Sequence, residues 1–293
     1  MLSKNEALAL DKYYTKVPVA RQCYDILRPL VAEGSLFVEP SAGGGAFIEA
    51  IGSDDEIIGF DVAPEHPSVI QNDFLSNDLR HLLTPEQRDR NIVAIGNPPF
   101  GKKAALAVEF VNRSLQMFGL AAFIVPVQFQ KWSVQSKIEP FASLIVDHLL
   151  PEDSFEVMGK TYKVRCCFQV WSLNHHDLPD LRIKGKPSTN HPDFDMWQFN
   201  RTTEAEKFFD YDWDFAVPRQ GFQDYTFKAK NKDECDRKKQ WIFFKANSDD
   251  ALKRLLALDF EMLSRKNTGI PGFGKADVVA EYERNCEPTK QHG

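Results

Sequence analysis

The segment Ile95-Gly-Asn-Pro-Pro-Phe-Gly101 places a carboxamide and an aromatic ring in a turn that two prolines stiffen. Pro98 and Pro99 fix two φ angles and remove two backbone donors, and the residue before a proline is pushed out of the helical region. The Asn97 carboxamide oxygen and the Pro98 carbonyl can both accept N–H bonds from an exocyclic amine, and Phe100 can stack on the ring that bears it. The alternative is a purely structural turn between a strand and a helix.

A second group of residues suits a nucleoside. The segment 38–47, VEPSAGGGAF, puts three glycines after an apolar run and before a helical pattern, where backbone amides are exposed. Asp61 follows Glu39 by twenty-two positions at the end of the next apolar run, from which a carboxylate can accept from two ribose hydroxyls. Asp73 ends a third run and can accept from an exocyclic amine, with Phe74 beside it for packing.

The glycines match neither of two common phosphate-binding patterns. They do not fit G-x-G-x-x-G, which disfavours a dinucleotide, and no G-x-x-x-x-G-K-[ST] loop is present, which disfavours a nucleoside triphosphate. Each signal alone could be only a tight turn. Because the ends of neighbouring parallel strands meet at one edge of a sheet, the acids and glycines together predict a site for a nucleoside without phosphates.

The elements that position these residues alternate between strands and helices. Apolar runs predict strands at 35–40, 56–62, 69–75, 90–97, 120–127, 144–150 and 165–173. Helical spacing predicts helices at 17–32, 46–52, 102–118, 132–143 and 249–264. This order predicts an α/β protein with a Rossmann-like seven-stranded sheet, mostly parallel. The last two strands have no helix between them and form an antiparallel edge, and a small C-terminal α+β region follows.

In this order and spacing, VEPSAGGGAF, GFDV, NDFL and GNPPF resemble the γ-class amino-methyltransferases that methylate adenine N6 in DNA. The resemblance covers residues 11–175 and implies S-adenosylmethionine as the cofactor. It implies the following contacts: Tyr14 and Thr15 at the methionine end, Glu39, Ser41, Gly43 and Gly45 along the methionine moiety, Asp61 on the ribose, and Asp73 and Phe74 on the adenine. It also implies that Asn97, Pro98, Pro99 and Phe100 are the catalytic motif.

An adenine inside a duplex cannot reach such a pocket, so it has to be flipped out and stacked between aromatic rings. The resembling family places a second aromatic between the sixth and seventh strands. Phe155 is the candidate in this chain and Tyr162 the reserve. Phe155 could instead pack beneath its own loop.

Residues 1–175 are predicted to form the S-adenosylmethionine-binding catalytic domain, and residues 176–293 a target-recognition or nucleic-acid-binding region. The second part interleaves aromatic segments with basic clusters at Arg182, Lys184 and Lys186, at Lys228, Lys230 and Lys232, and at Arg237, Lys238 and Lys239. These residues suit a nucleic-acid surface, or equally a small β-rich core with a solvated rim. The segment 267–275 could meet phosphate through Lys275 or be only a connection.

Composition excludes several classes of protein. No run approaches the length of a membrane span, the N-terminus lacks the apolar core of a signal peptide, and five scattered cysteines form no zinc pattern. We therefore expect a cytosolic protein with no membrane partner and no metal. The resemblance, and not the composition, implies the cytoplasm of a bacterial or phage-infected cell. The net charge of −6 neither indicates nor excludes nucleic-acid binding.

The resemblance implies DNA as partner and a restriction endonuclease as a companion. Three alternatives remain open at this point. They are an RNA adenine-N6 methyltransferase, a catalytically inactive nucleic-acid-binding homologue, and an enzyme that methylates a protein glutamine. The recognition sequence and the oligomeric state are not fixed by these residues.

Overall fold

The computed structural model describes residues 14–157, 159–222, 224–267 and 270–286. The chain divides into two compact units, of which one ends at Lys184 and the other begins at Gly185. The functional boundary expected at residue 175 precedes this division and stays a prediction. Among the described residues, no helix combines the length and the apolar character that crossing a membrane requires.

The first unit is built on a seven-stranded sheet. The strands of this unit, including three that lie outside the large sheet, are β1 (Tyr14–Thr15), β2 (Leu36–Glu39), β3 (Ile57–Asp61), β4 (Val69–Gln71), β5 (Ile92–Gly96), β6 (Leu120–Pro126), β7 (Ser143–Leu149), β8 (Phe155–Val157), β9 (Lys160–Tyr162) and β10 (Cys166–Ser172). The large sheet has the order β4-β3-β2-β5-β6-β10-β7. Neighbours from β4 to β6 are parallel, and β10 is antiparallel to both β6 and β7. The predicted Rossmann-like, mostly parallel sheet with antiparallel pairing at one edge is confirmed.

Helices cover this sheet because its central strands are apolar throughout. Every residue of β2, β5 and β6 is buried, as expected for parallel strands packed on both faces. The helices are α1 (Val17–Leu27), α2 (Ala46–Ile51), α3 (Pro85–Arg88), α4 (Ala105–Phe118) and α5 (Trp132–Gln135). The crossovers therefore bring the ends of β2, β3, β4 and β5 to one edge, where the candidate site lies.

Two predicted helices are shorter in the structure. The helix expected at 17–32 ends at Leu27 and continues as one 3₁₀ turn, because Pro29 cannot donate a helical hydrogen bond. The helix expected at 132–143 is wrong beyond Gln135. Backbone carbonyls in this stretch accept from Arg182 instead of from helical amides.

A small sheet of order β1-β8-β9 accompanies the large one and was not predicted. In its register Tyr14 lies opposite Glu156, and Thr15 opposite Phe155. Phe155 also lies opposite Tyr162 across the β8–β9 pair. This sheet fixes the position of Tyr14 and Thr15, which local sequence alone leaves open.

The second unit is a three-stranded antiparallel sheet with helices. Its elements are β11 (Phe194–Phe199), β12 (Phe215–Gln220), β13 (Gln240–Ala246), α6 (Asp249–Leu256), α7 (Phe260–Ser264) and α8 (Lys275–Cys286). Along β13, Trp241 and Phe243 belong to one buried cluster, and Ile242 and Phe244 to the other. This alternation follows from the period of two in a strand. The aromatic segments of this half therefore form a β-rich core.

The single helix expected at 249–264 is two helices. The chain leaves the helical conformation after Leu256, and Asp259 starts α7 by accepting from the Met262 amide at 2.9 Å. Asp favours such a capping position over a helix interior because its side chain competes for backbone amides. The break also lets both Leu258 and Phe260 enter the core.

Candidate active site

A cavity of about 510 Å³ opens at the carboxyl ends of the parallel strands. It gathers most of the residues expected at the cofactor and at the amine. Those that line it are Tyr14, Thr15, Glu39, Ser41, Gly43, Asp61, Asp73, Phe74, Asn97 and Pro99. Residues up to eighty-five positions apart in sequence thus share one space because of the order of the strands.

Four expected site residues do not line the cavity. Gly45 starts α2 with a φ of +81°, and a Cβ added there would lie 2.7 Å from the Cγ of His66. Pro98 and Phe100 are buried, and Phe155 is fully buried in the core of the first unit. Stacking of Phe100 and Phe155 on a substrate ring stays a prediction, and it requires these rings to be uncovered when a base enters.

Tyr14 lies at the rim of the cavity, against the three consecutive glycines 43–45, which we call the glycine bend. Its ring lies over Gly44, where an added Cβ would be 3.4 Å from Tyr14 Cδ1. Its hydroxyl donates to Glu65 Oε2 at 2.7 Å, and the Glu65 amide donates to the Gly43 carbonyl at 3.2 Å. Burial, followed by the bond to Glu65, raises the pKa of Tyr14, which therefore stays a neutral donor at physiological pH.

Local backbone amides orient Asp61. Asp61 Oδ2 accepts from the Gly43 amide and Oδ1 from the Ala63 amide, both at 2.8 Å. Since each carboxylate oxygen has two acceptor positions, both oxygens can still accept from a ligand. The carboxylate is thereby held in place next to the glycine bend.

Asp73 is held by a turn of its own. Its Oδ1 accepts from the Leu75 amide at 3.0 Å and its Oδ2 from the Ser76 hydroxyl at 2.7 Å. The bond from Ser76 is the main reason why the pKa of Asp73 lies below its ordinary value. Asp73 is therefore an anionic acceptor at the cavity wall.

Glu39 is the least satisfied charged group of the site. Its side chain is 2% exposed, and Oε2 has no hydrogen-bond partner among the described residues. It lies against Gly96, where an added Cβ would be 3.1 Å from Glu39 Cγ. Burial, and then the charge of Asp61, raises the pKa of Glu39 well above its ordinary value. A buried carboxyl of this kind is costly unless a cationic partner offsets the loss of water.

Asn97 is connected to the glycine bend. The Ser41 hydroxyl donates to the backbone carbonyl oxygen of Asn97 at 3.3 Å. Pro98 and Pro99 then fix the chain direction immediately after it. The turn that carries the carboxamide and the bend that could hold a cofactor therefore form one unit.

The charge of the cavity was not foreseen from the motifs. Five acids line it, and no Lys, Arg or His does so in the part of the chain that the structure describes: Glu39, Glu49, Asp61, Glu65 and Asp73. Sequence reasoning missed Glu49, Glu65 and Phe110. Phe110 lies in α4, with its ring centroid 5.4 Å from that of Phe74. Its place in the helical apolar pattern could have indicated burial, but not proximity to Phe74.

Arg182 belongs to one of the basic clusters but is a structural residue. Its guanidinium lies 5.5 Å from the centroid of the Trp171 ring. It donates to the backbone carbonyls of five residues, Gln135, Ile138, Glu139, Pro140 and Ala142. Lys275 also has a structural partner, because its Nζ donates to the Met196 carbonyl at 2.6 Å.

Within the described residues, no group of His, Cys, Asp and Glu is arranged to hold a metal ion.

Comparisons with solved structures find similar folds over part of the chain. A modification subunit from Vibrio vulnificus, provisionally assigned to a type I restriction enzyme, is 17% identical, with a TM-score of 0.41 over 59% of this chain and 50% of that subunit. A provisionally assigned RNA methyltransferase from Pyrococcus horikoshii is 16% identical, with a TM-score of 0.40 over 59% of this chain and 98% of its own. An rRNA methylase from Streptococcus thermophilus is 15% identical, with a TM-score of 0.33 over 52% and 93% of the two chains.

No family model matches the chain, and no curated protein matches its sequence. The chain spans half the length of the Vibrio vulnificus subunit. At identities and TM-scores this low, the likeness carries no conclusion about activity. The function has to be inferred from the residues of the site.

Proposed function

We propose that the chain transfers a methyl group from S-adenosylmethionine to the N6 amino group of adenine in DNA. The observation that carries this proposal is the single cavity shared by the glycine bend, the strand-end acids and Asn97. A methyl donor and an amine have to meet at bonding distance, and residues around one cavity can hold both in that geometry.

The charge of the cavity supports a cationic cofactor. Five acidic residues line it, and none of the described lining residues is Lys, Arg or His. S-adenosylmethionine carries a sulfonium and an ammonium against a single carboxylate, so these acids attract it. Dinucleotides and nucleoside triphosphates carry phosphates, which the same acids repel.

The chain offers a partner for each part of that cofactor. Glu39 would accept from the ammonium, which would offset the cost of its burial. Ser41 and Gly43 would lie along the methionine moiety, with Tyr14 and Thr15 at its end. Asp61 would accept from the ribose hydroxyls, and Asp73 from the adenine amine, with Phe74 against the adenine ring.

Bound S-adenosylmethionine would supply an electrophilic methyl carbon. The target amine is a poor nucleophile because its lone pair is delocalised into the base. If Asn97 Oδ1 and the Pro98 carbonyl accept its two N–H bonds, the lone pair is localised and aimed at the methyl carbon. The two prolines and the bond from Ser41 keep these acceptors in place during transfer. As the N–C bond forms, the bond between the methyl carbon and the sulfonium sulfur would break, which leaves S-adenosylhomocysteine. The methylated nitrogen then loses its surplus proton to water.

DNA is proposed as the substrate because the GNPPF motif resembles that of DNA adenine methyltransferases and because a second unit is available to bind a polymer. Residues 176–293 would bind the polymer, and the adenine would be flipped into the cavity. Phe100 and Phe155, or Tyr162 in place of Phe155, would then stack on its two faces.

The test is incubation with methyl-labelled S-adenosylmethionine and, separately, duplex DNA, RNA and a protein extract. We expect label in DNA only, recovered as N6-methyladenine after nuclease digestion, and label incorporation slowed by about 10²- to 10³-fold in the Asn97→Ala variant. Label confined to RNA or to protein glutamine would overturn the substrate assignment. Cofactor binding without transfer to any polymer would identify an inactive nucleic-acid-binding homologue.

A further inference from the structure

A second cavity, of about 300 Å³, lies entirely within the C-terminal unit. Three cationic side chains line it, together with two side-chain amides and one exposed isoleucine: Arg201, Lys238, Lys239, Gln220, Gln240 and Ile270. None of the lining residues that the structure describes is an acid. We call this space the basic cavity.

Several cations of this unit have carboxylate partners, whereas none is described for the three cations of the basic cavity. The paired ones are Lys232 with Asp210, Lys245 with Asp212 and Asp214, and Arg237 with Glu206. Among the described residues, the side chains of Arg201 and Lys238 form no ion pair or hydrogen bond. Lys239 donates to the Gly221 carbonyl at 3.3 Å and lies 5.0 Å from the centroid of the Phe222 ring. Three like charges thus converge without a protein counter-charge, which favours an anionic ligand.

The backbone and the side-chain amides of this cavity also favour an anionic ligand. Arg201 has a φ of +66°, in the left-handed region that arginine rarely adopts. Such backbone conformations persist where the surrounding structure enforces them, often at ligand sites. Gln240 Oε1 accepts from the Arg219 guanidinium, which leaves its amide N–H groups as donors. Cations and amide donors suit a phosphate group.

We propose that the basic cavity binds a backbone phosphate of the nucleic-acid substrate. This inference rests on the proposed function, since the anion is assigned to the polymer that the enzyme methylates. Arg201, Lys238 and Lys239 supply the charge, and Gln220 and Gln240 supply amide donors. Because the whole chain carries a net charge of −6, a local concentration of cations of this kind is what the polymer needs to bind.

The test measures duplex binding by the full-length chain and by the double variant Arg201→Asn/Lys238→Gln. Asn accepts the left-handed backbone and removes the charge, and Lys238 is exposed, so neither change should unfold the unit. Fluorescence anisotropy of a labelled duplex over a range of salt concentrations should show about tenfold weaker binding. The slope of log affinity against log salt should fall by about one for each lost contact.

The control is Lys253→Gln, which removes one positive charge from an exposed position of α6 outside the basic cavity and is compared with the single variant Lys238→Gln. It should bind the duplex as the unmodified chain does. Equal affinity and salt slope for the double variant and the unmodified chain would overturn the proposal. A second outcome would also overturn it: inorganic phosphate raises the unfolding temperature of the unmodified chain but not of the double variant, while both bind the duplex equally. The basic cavity would then bind free phosphate and not the polymer.

Methyl transfer is measured on the same preparations to separate the two proposals. Duplex binding that the double variant loses, without transfer to DNA by the unmodified chain, would reject the proposed function and support the basic cavity as a phosphate site. Normal transfer to DNA by the unmodified chain and by the double variant, with equal duplex binding, would support the proposed function and reject the basic cavity as a phosphate site.

Discussion

The cavity of the N-terminal unit, called the acidic cavity below, and the basic cavity of the C-terminal unit differ in charge. Of the described residues, five acids and no cation line the acidic cavity, whereas three cations and no acid line the basic cavity. Both sit in a protein whose net charge is −6. The net charge thus conceals two local environments of opposite sign, which suit the cationic cofactor and the anionic polymer that we propose.

The elements that build the two cavities differ as well. The acidic cavity forms where parallel strands end, so its residues come from several successive strand–helix units. The basic cavity forms beside an antiparallel sheet, where the end of β12 lies opposite the start of β13, with Gln220 paired to Gln240. Sequence motifs can indicate the acidic cavity, because its residues recur at the ends of parallel strands. They cannot indicate the basic cavity, because no recurring pattern links its residues.

The largest effect should come from the acidic cavity. Asn97→Ala should lower the rate constant of methyl transfer by about 10²- to 10³-fold, the scale of losing one preorganised polar group at a reacting atom. The affinity for S-adenosylmethionine, measured by calorimetry, should stay within error of the unmodified chain. Weakened cofactor binding together with unfolding would instead show that Asn97 is a structural turn residue.

A cation outside both cavities should affect stability and not nucleic-acid binding. Arg182→Met should lower the free energy of unfolding by about 2–4 kcal/mol, because several backbone carbonyls lose a charged donor. The matched control is Lys184→Gln, whose exposed pair with Asp180 should cost about 0–1 kcal/mol. Urea unfolding followed by circular dichroism measures both. A change in the salt slope of duplex binding for folded Arg182→Met would assign Arg182 to the nucleic-acid surface after all.

Glu39 tests the charge selection of the acidic cavity. Glu39→Gln should weaken S-adenosylmethionine binding by about ten- to a hundredfold, since a bond between charged groups becomes a neutral one. Titration calorimetry with S-adenosylhomocysteine, which also carries the ammonium, should show a similar loss. Unchanged affinity for both ligands would remove Glu39 from the cofactor site.

The same variant should alter the pH dependence of stability in the absence of cofactor. The fold raises the pKa of Glu39 above its ordinary 4.5, so the folded protein retains a proton that the unfolded chain releases. The stabilisation by protonated Glu39 is complete below pH 4.5 and is lost as the pH rises through the folded-state pKa. Glu39→Gln should remove this decline, as measured by thermal unfolding at a series of pH values.

The smallest effect should come from the rim. Tyr14→Phe keeps the ring over Gly44 and removes the bond to Glu65. We expect cofactor affinity to fall less than about fivefold, the scale of an exposed polar pair. Tyr14→Ala also removes the ring and should have the larger effect in the same titration. Equal effects of the two variants would show that the hydroxyl, and not the ring, shapes the rim.

Much of the first unit could be predicted from the sequence. The apolar runs gave all seven strands of the large sheet, and the missing helix between the last two gave the antiparallel pairing. The acids at strand ends and the Asn-Pro-Pro turn were recognisable for the same reason. In an α/β sheet, a residue just after a strand has only one edge to reach.

The burial of aromatic side chains could not be predicted in the same way. Phe155 and the aromatic pairs of the second unit are compatible, as local patterns, with either a binding surface or a core. The structure places Phe155, Trp241 and Phe243 in buried clusters. Whether a ring is covered depends on which strand pairs with its own, and that partner lies far away in sequence.

The sequence by itself determined the seven strands of the large sheet and the stiff turn that carries Asn97. Both follow from local chemistry: apolar periodicity and the fixed φ of proline. The tertiary structure decided which charges act together. It commits Arg182 to backbone carbonyls, gathers Glu39, Asp61 and Glu65 in one cavity, and brings Arg201 to Lys238 in another. Electrostatic interactions depend on distance through space, and only the folded chain sets that distance.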